Sequence, residues 1–111
     1  MKSISTILLF FIFSEKVFAA PSGSDLLTAC ETALQQGFQD ATGMMCTWYV
    51  TPCDCHYGQA PEVPRVCLPD GLETEYLAKE VITGLKSNPQ LQKKTAEVSV
   101  GEILVKKYPC N

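Results

Sequence analysis

The chain has 111 residues, 46% of them hydrophobic, with nine basic against twelve acidic side chains and a net charge of −3. That length holds one domain, and that balance argues against nucleic acid, whose phosphates require a basic patch. It suits either a basic protein partner or simple solubility.

The N-terminus reads as a secretory signal. Lys2 supplies the positive start, Ile4 to Phe13 is an uncharged apolar run, and Val17-Phe18-Ala19 offers a cleavage site after Ala19. The run is shorter than the ~20 residues of a membrane-spanning helix. No cysteine follows the site, which argues against a lipid anchor. Residues 1–19 are therefore expected as a signal peptide and residues 20–111 as a single exported domain, free of the membrane after cleavage. Residues 1–19 hold two of the basic and one of the acidic side chains, so residues 20–111 carry seven against eleven, or −4.

A core of this size stabilises a fold by only ~3–5 kcal/mol, and small exported domains commonly add disulfides. The six cysteines are Cys30, Cys46, Cys53, Cys55, Cys67 and Cys110. An even number in an oxidising compartment points to crosslinks.

In chain order, Ser24-Asp25 suits a helix cap, and Leu26, Leu27, Cys30, Ala33 and Leu34 recur at helical spacing before Gly37. This predicts a helix over about 25–36. A second helix is predicted over about 40–51, although Thr47-Trp48-Tyr49-Val50-Thr51 alone would suit a strand. Trp48 and the Met44-Met45 pair are expected in the core. Residues 52–69 hold four prolines and three cysteines and read as an irregular loop. Asp70, with Glu73 as capping-box partner, predicts a third helix, with Leu72, Tyr76, Val81 and Leu85 on its apolar side. Asn88-Pro89 stops it and opens a fourth helix over about 89–107, striped by Leu91, Thr95, Val98 and Val105. Val98 to Val105 is β-branched around Gly101 and also fits a hairpin by propensity; helix is favoured partly by the caps at both ends, with Lys106 and Lys107 suited to a helix C-terminus, and partly by the resemblance given below.

The expected fold is thus all-α, a small bundle of about four helices arranged as two antiparallel hairpins. Cys30 and Cys46 flank the Gly37–Asp40 turn evenly, and Cys67 and Cys110 flank Asn88-Pro89 evenly. Each pair falls at one level of its hairpin, which predicts disulfides Cys30–Cys46 and Cys67–Cys110. Cys53 and Cys55 either bond across one residue, or to different partners, or to a second chain.

Cys53-Asp54-Cys55-His56 is the one cluster with a reactive composition. Its spacing is poor for zinc, and copper would need further ligands. His56 is the only histidine and sits beside Cys55, where nucleophile and base rarely meet. No phosphate loop, nucleophile elbow or H-E-x-x-H motif occurs. The reading is a crosslinked loop with no catalytic set, no metal and no cofactor.

Leu26-Leu27-Thr28-Ala29-Cys30, Met45-Cys46 with Tyr49-Val50, Val66-Cys67-Leu68-Pro69-Asp70-Gly71-Leu72, Leu85-Lys86-Ser87-Asn88-Pro89 and Tyr108-Pro109-Cys110 follow one another along the chain. In this order they resemble the Tai family, immunity proteins against amidase effectors of type VI secretion. The resemblance implies an all-α fold, a periplasmic location, homodimerisation, and a peptidoglycan amidase as partner that is occluded without chemistry. It departs from the family at Thr51-Pro52 and the cysteine cluster that follows. Asp54, His56, Tyr57 and Glu62, on the proline-stiffened loop, are the partner-binding candidates. Two alternatives are a helical periplasmic chaperone, unmasked as its acids protonate, and a small carrier of apolar ligands. The C-x3-C spacing of such carriers is absent.

Overall fold

The computed structural model describes residues 20–51 and 61–110. These residues form five helices and no strand: α1 Gly23–Gln36, α2 Ala41–Val50, α3 Thr74–Ser87, α4 Pro89–Lys93 and α5 Ala96–Val105. The all-α expectation holds, with five helices in place of four.

Helix α1 buries Leu26, Ala29, Cys30 and Ala33, the inward stripe of a 3.6-residue period. It starts two residues before the predicted boundary because Ser22, not Ser24, is the cap. The Asp25 amide donates to Ser22 Oγ at 3.1 Å, and the Ser22 amide donates to Asp25 Oδ2 at 3.0 Å. Ser24 has leucine three residues on, so it cannot close such a box. Gly37, at φ 101°, ends the helix.

Asp40 caps α2 by accepting from the Gly43 amide at 2.8 Å. The strand-prone run is helical here. Thr47 Oγ1 donates to the Gly43 carbonyl at 3.1 Å, and Thr51 Oγ1 donates to that of Thr47 at 2.6 Å. The Cys30–Cys46 disulfide joins α1 to α2 with Cα atoms 5.0 Å apart and both cysteines fully buried. Helix α1 touches all four other helices and is the hub of the bundle.

The predicted Asp70–Glu73 capping box does not form. Gly71 takes φ 89°, a turn conformation that cannot continue into a helix, so α3 begins only at Thr74. Glu73 is its cap and makes no side-chain capping bond. Leu77, Ala78, Val81, Ile82 and Leu85 point inward. Tyr76, predicted on that side, is 43% exposed.

The predicted helix over 89–107 is broken in two. Asn88 caps α4 through the Gln90 amide and Pro89 takes the first turn, as expected. Lys94 and Thr95 are then extended. The break exists because the strand-like segment before α1 crosses it. The Gly23 amide donates to the Lys94 carbonyl at 2.8 Å, and the Ala96 amide donates to the Pro21 carbonyl at 2.9 Å. Ser22 lies opposite Thr95 in an isolated antiparallel bridge. The interruption resets the helical phase. Thr95 is exposed and Val98 and Val105 are half-buried, while Ala96, Ser99, Val100 and Leu104 enter the core. Ser99 Oγ donates across the break to the Leu91 carbonyl.

At the far end Val66 bridges Pro109, and the Cys67 amide donates to the Tyr108 carbonyl at 3.0 Å. The Cys67–Cys110 disulfide closes there, Cα atoms again 5.0 Å apart. Both pairings expected from hairpin symmetry are present. Cys53 and Cys55 lie outside the described residues.

Candidate functional site

Of the partner-binding candidates, Asp54, His56 and Tyr57 lie outside the described residues. Glu62 lies within them and is exposed. It stands at the rim of an open hollow of about 520 Å³ whose other walls include Val63, Lys94, Glu97, Val98 and Glu102. Lys94 pairs with Glu102 at 2.8 Å. The phenol of Tyr49 is pushed above its ordinary range, first by burial and then by the Glu97 charge. Among the described residues no group of three or more His, Cys, Asp or Glu side chains converges to hold a metal ion. The four described cysteines are all disulfide-bonded.

A second surface was not foreseen. The core placement of Trp48 and Met44 is corrected by the structure: they are 57% and 62% exposed. The cause lies in α2, which has no charged residue on any side. Gly43, Cys46 and Val50 turn inward, spaced as one helical face. Met44, Thr47, Trp48 and Thr51 follow the same period one step round and form an outer face. With Phe38, Gln39 and Thr74 they line a hollow of about 500 Å³ that contains no charged side chain. Monomeric proteins seldom leave large aromatic and thioether groups together in water unless something binds there. Two interleaved 3.6-residue periods in one short uncharged helix are a signal the sequence carries. The expectation that a lone tryptophan fills the core concealed it.

A third cluster fastens the C-terminal end. Lys107 Nζ donates to Glu80 Oε1 and to the Tyr76 hydroxyl, each at 2.7 Å, and Tyr108 donates to the same Glu80 oxygen at 3.2 Å. The ammonium also lies 5.2 Å and 5.8 Å from the Tyr76 and Tyr108 ring centres. This network explains why Tyr76 faces outward. The Lys107 hydrogen bond holds the Glu80 carboxyl below its usual range despite partial burial. Every member has a partner, so the cluster has the form of a clasp and not of a reactive centre.

The model of the Rap1a immunity proteins matches residues 22–110, which is the whole described domain from the α1 cap to the last disulfide. The chain belongs to the Rap1a immunity protein family. No curated protein and no solved structure matches it. Membership makes this a domain that works by binding a cognate effector, so its exposed surfaces carry the function. Within this Rap1a domain two such surfaces stand out: the Glu62 hollow, hinged on a sequence-predicted candidate, and the Met44–Trp48 face of α2.

Proposed function

We propose that the chain is a periplasmic immunity protein that binds and occludes a peptidoglycan amidase effector of type VI secretion, without chemistry of its own. The observation that carries this reading is the family match over residues 22–110. The motif resemblance to the Tai family, in C-L-P-D-G-L over residues 67–72 and Y-P-C over 108–110, narrows the partner class to amidases. The signal-like residues 1–19 and the disulfides support export to an oxidising compartment. Two disulfide staples reduce the ordering entropy that docking would otherwise cost.

The test directs the candidate type VI amidase effectors of the source organism, one at a time, to the periplasm of a host cell, where a peptidoglycan amidase causes lysis. Co-expression of the full chain is expected to prevent lysis, and a chain lacking residues 1–19 is expected to leave the host unprotected. The purified amidase should lose peptidoglycan cleavage when one equivalent of the oxidised domain is added. Lysis that continues despite full expression would refute the reading. Broad suppression of aggregation at acidic pH, with no amidase inhibition, would point instead to a chaperone. Sedimentation of the purified domain tests the homodimer that the resemblance implies.

A further inference from the structure

We propose that the outer face of α2 is a seat for the effector, and that it receives an apolar side chain flanked by lysine or arginine; this rests on the effector-binding reading above. Three observations carry it.

The bundle grips α2 by its opposite face. Gly43, Cys46 and Val50 hold α2 against the bundle, and the buried Cys30–Cys46 bond ties it to α1. Met44 and Trp48 point the other way and remain 62% and 57% exposed. Tryptophan is the residue type most often found as an energetic anchor in protein interfaces, because its large ring is buried at small entropic cost.

The support is preorganised. Helix α2 is capped by Asp40 and crosslinked at Cys46, two residues from both Met44 and Trp48. Docking on it orders little that was not ordered before.

The charges around the face select the partner. The residues lining the hollow are uncharged. The charged residues next to them in the chain are all acidic: Asp40 follows Gln39, and Glu73 and Glu75 flank Thr74. Lys79 pairs with Glu75 at 3.2 Å, while Asp40 and Glu73 are exposed acids. A second copy of this chain, docked face to face, would set these acids against their own equivalents. Like charges so placed disfavour a self-complementary contact. An apolar projection between basic side chains meets both the hollow and its rim.

The test is binding of the purified effector to the oxidised domain, followed by titration calorimetry and by association rates at two salt concentrations. Trp48→Glu and Met44→Glu are each expected to weaken binding about 30-fold or more. Asp40→Asn keeps the capping oxygen and, combined with Glu73→Gln and Glu75→Gln, is expected to slow association and flatten its salt dependence. Unchanged melting temperatures establish that the variants fold. If the wild type binds and both glutamate variants bind equally well, the seat is elsewhere and the effector reading stands. If the wild type itself does not bind, the effector reading falls and takes the seat with it. If Trp48→Glu instead alters the sedimentation of the domain alone, the face joins copies of this chain and the proposal is overturned.

Discussion

Lys107 ties the C-terminal tail to α3. Its partners Glu80 and Tyr76 lie on α3, and Tyr108 follows it on the tail that carries Cys110. The phenol of Tyr108 is pushed up to about 12, by burial first, then by its hydrogen bond with Tyr76 and the Glu80 charge. A folded-state value raised above the ordinary 10.0 means that the folded state holds this proton more tightly. The resulting stability is present below pH 10 and is lost as pH rises through about 12. Spectrophotometric titration should therefore show a tyrosine ionising late, and Tyr108→Phe should abolish that phase. Glu80 has the opposite sign: its lowered value stabilises the fold above the ordinary carboxylate range and ceases to do so in acid. The clasp was not legible in the sequence, because residues 27 and 31 positions apart give no local signal of contact. In the sequence, Lys106 and Lys107 read only as a complement to the helix dipole. By contrast, the four described cysteines were paired correctly, since equal spacing about a turn is a geometric constraint that sequence does carry.

At the scale of elements, the inward faces of α1 and α3 follow 3.6-residue periods; the sequence reading placed Leu26, Cys30, Ala33, Val81 and Leu85 correctly, whereas Leu34 and Tyr76 are exposed and Leu72 precedes α3. The interrupted α4–α5 region was not. Nothing between Leu91 and Ala96 is a helix breaker by type, and the break comes from a segment some seventy residues earlier in the chain crossing it. Ser99 is the side chain that bonds across that break. It is fully buried, and its hydroxyl satisfies the Leu91 carbonyl. Ser99→Ala removes the donor and is expected to destabilise the domain by about 1–3 kcal/mol, measured by urea unfolding. An unchanged midpoint would mean that water or another donor replaces the hydroxyl. The same reasoning explains the miss on α2. Its composition admits two apolar faces, and the sequence alone does not say which one the bundle covers.

For the molecule as a whole, the two crosslinks differ in kind. Cys30 and Cys46 are 0% exposed and sixteen residues apart. Cys67 is exposed, Cys110 is half-buried, and they are forty-three residues apart. Loop-closure entropy assigns about 3 kcal/mol to the shorter loop and about 4 kcal/mol to the longer, both upper values in a model-dependent account. Accessibility orders them the other way. A mild thiol reductant is expected to open Cys67–Cys110 in the native protein, while Cys30–Cys46 resists until the domain unfolds. Alkylation of the freed thiols followed by peptide mapping checks this. Equal rates at both sites would show that the core opens as readily as the surface. Surface ion pairs add little to this balance. Lys86–Glu31, at 2.7 Å between α3 and α1, is well exposed and worth ~0–1 kcal/mol.

The bridge of Ser22 to Thr95 also sets a timetable. A chain that enters an oxidising compartment from its N-terminus presents α1 and α2 first, and their short-range staple can close before the rest arrives. The amide of Gly23 and the carbonyl of Pro21 wait for Lys94 and Ala96, and the last crosslink waits for Cys110. The domain therefore matures in two instalments, a quick local one and a late one that seals first and last elements together. A chain halted before residue 94 would lack α5 and the bridge that pins the start of α1, leaving an open bundle that is an easy substrate for the proteases that clear unfinished protein.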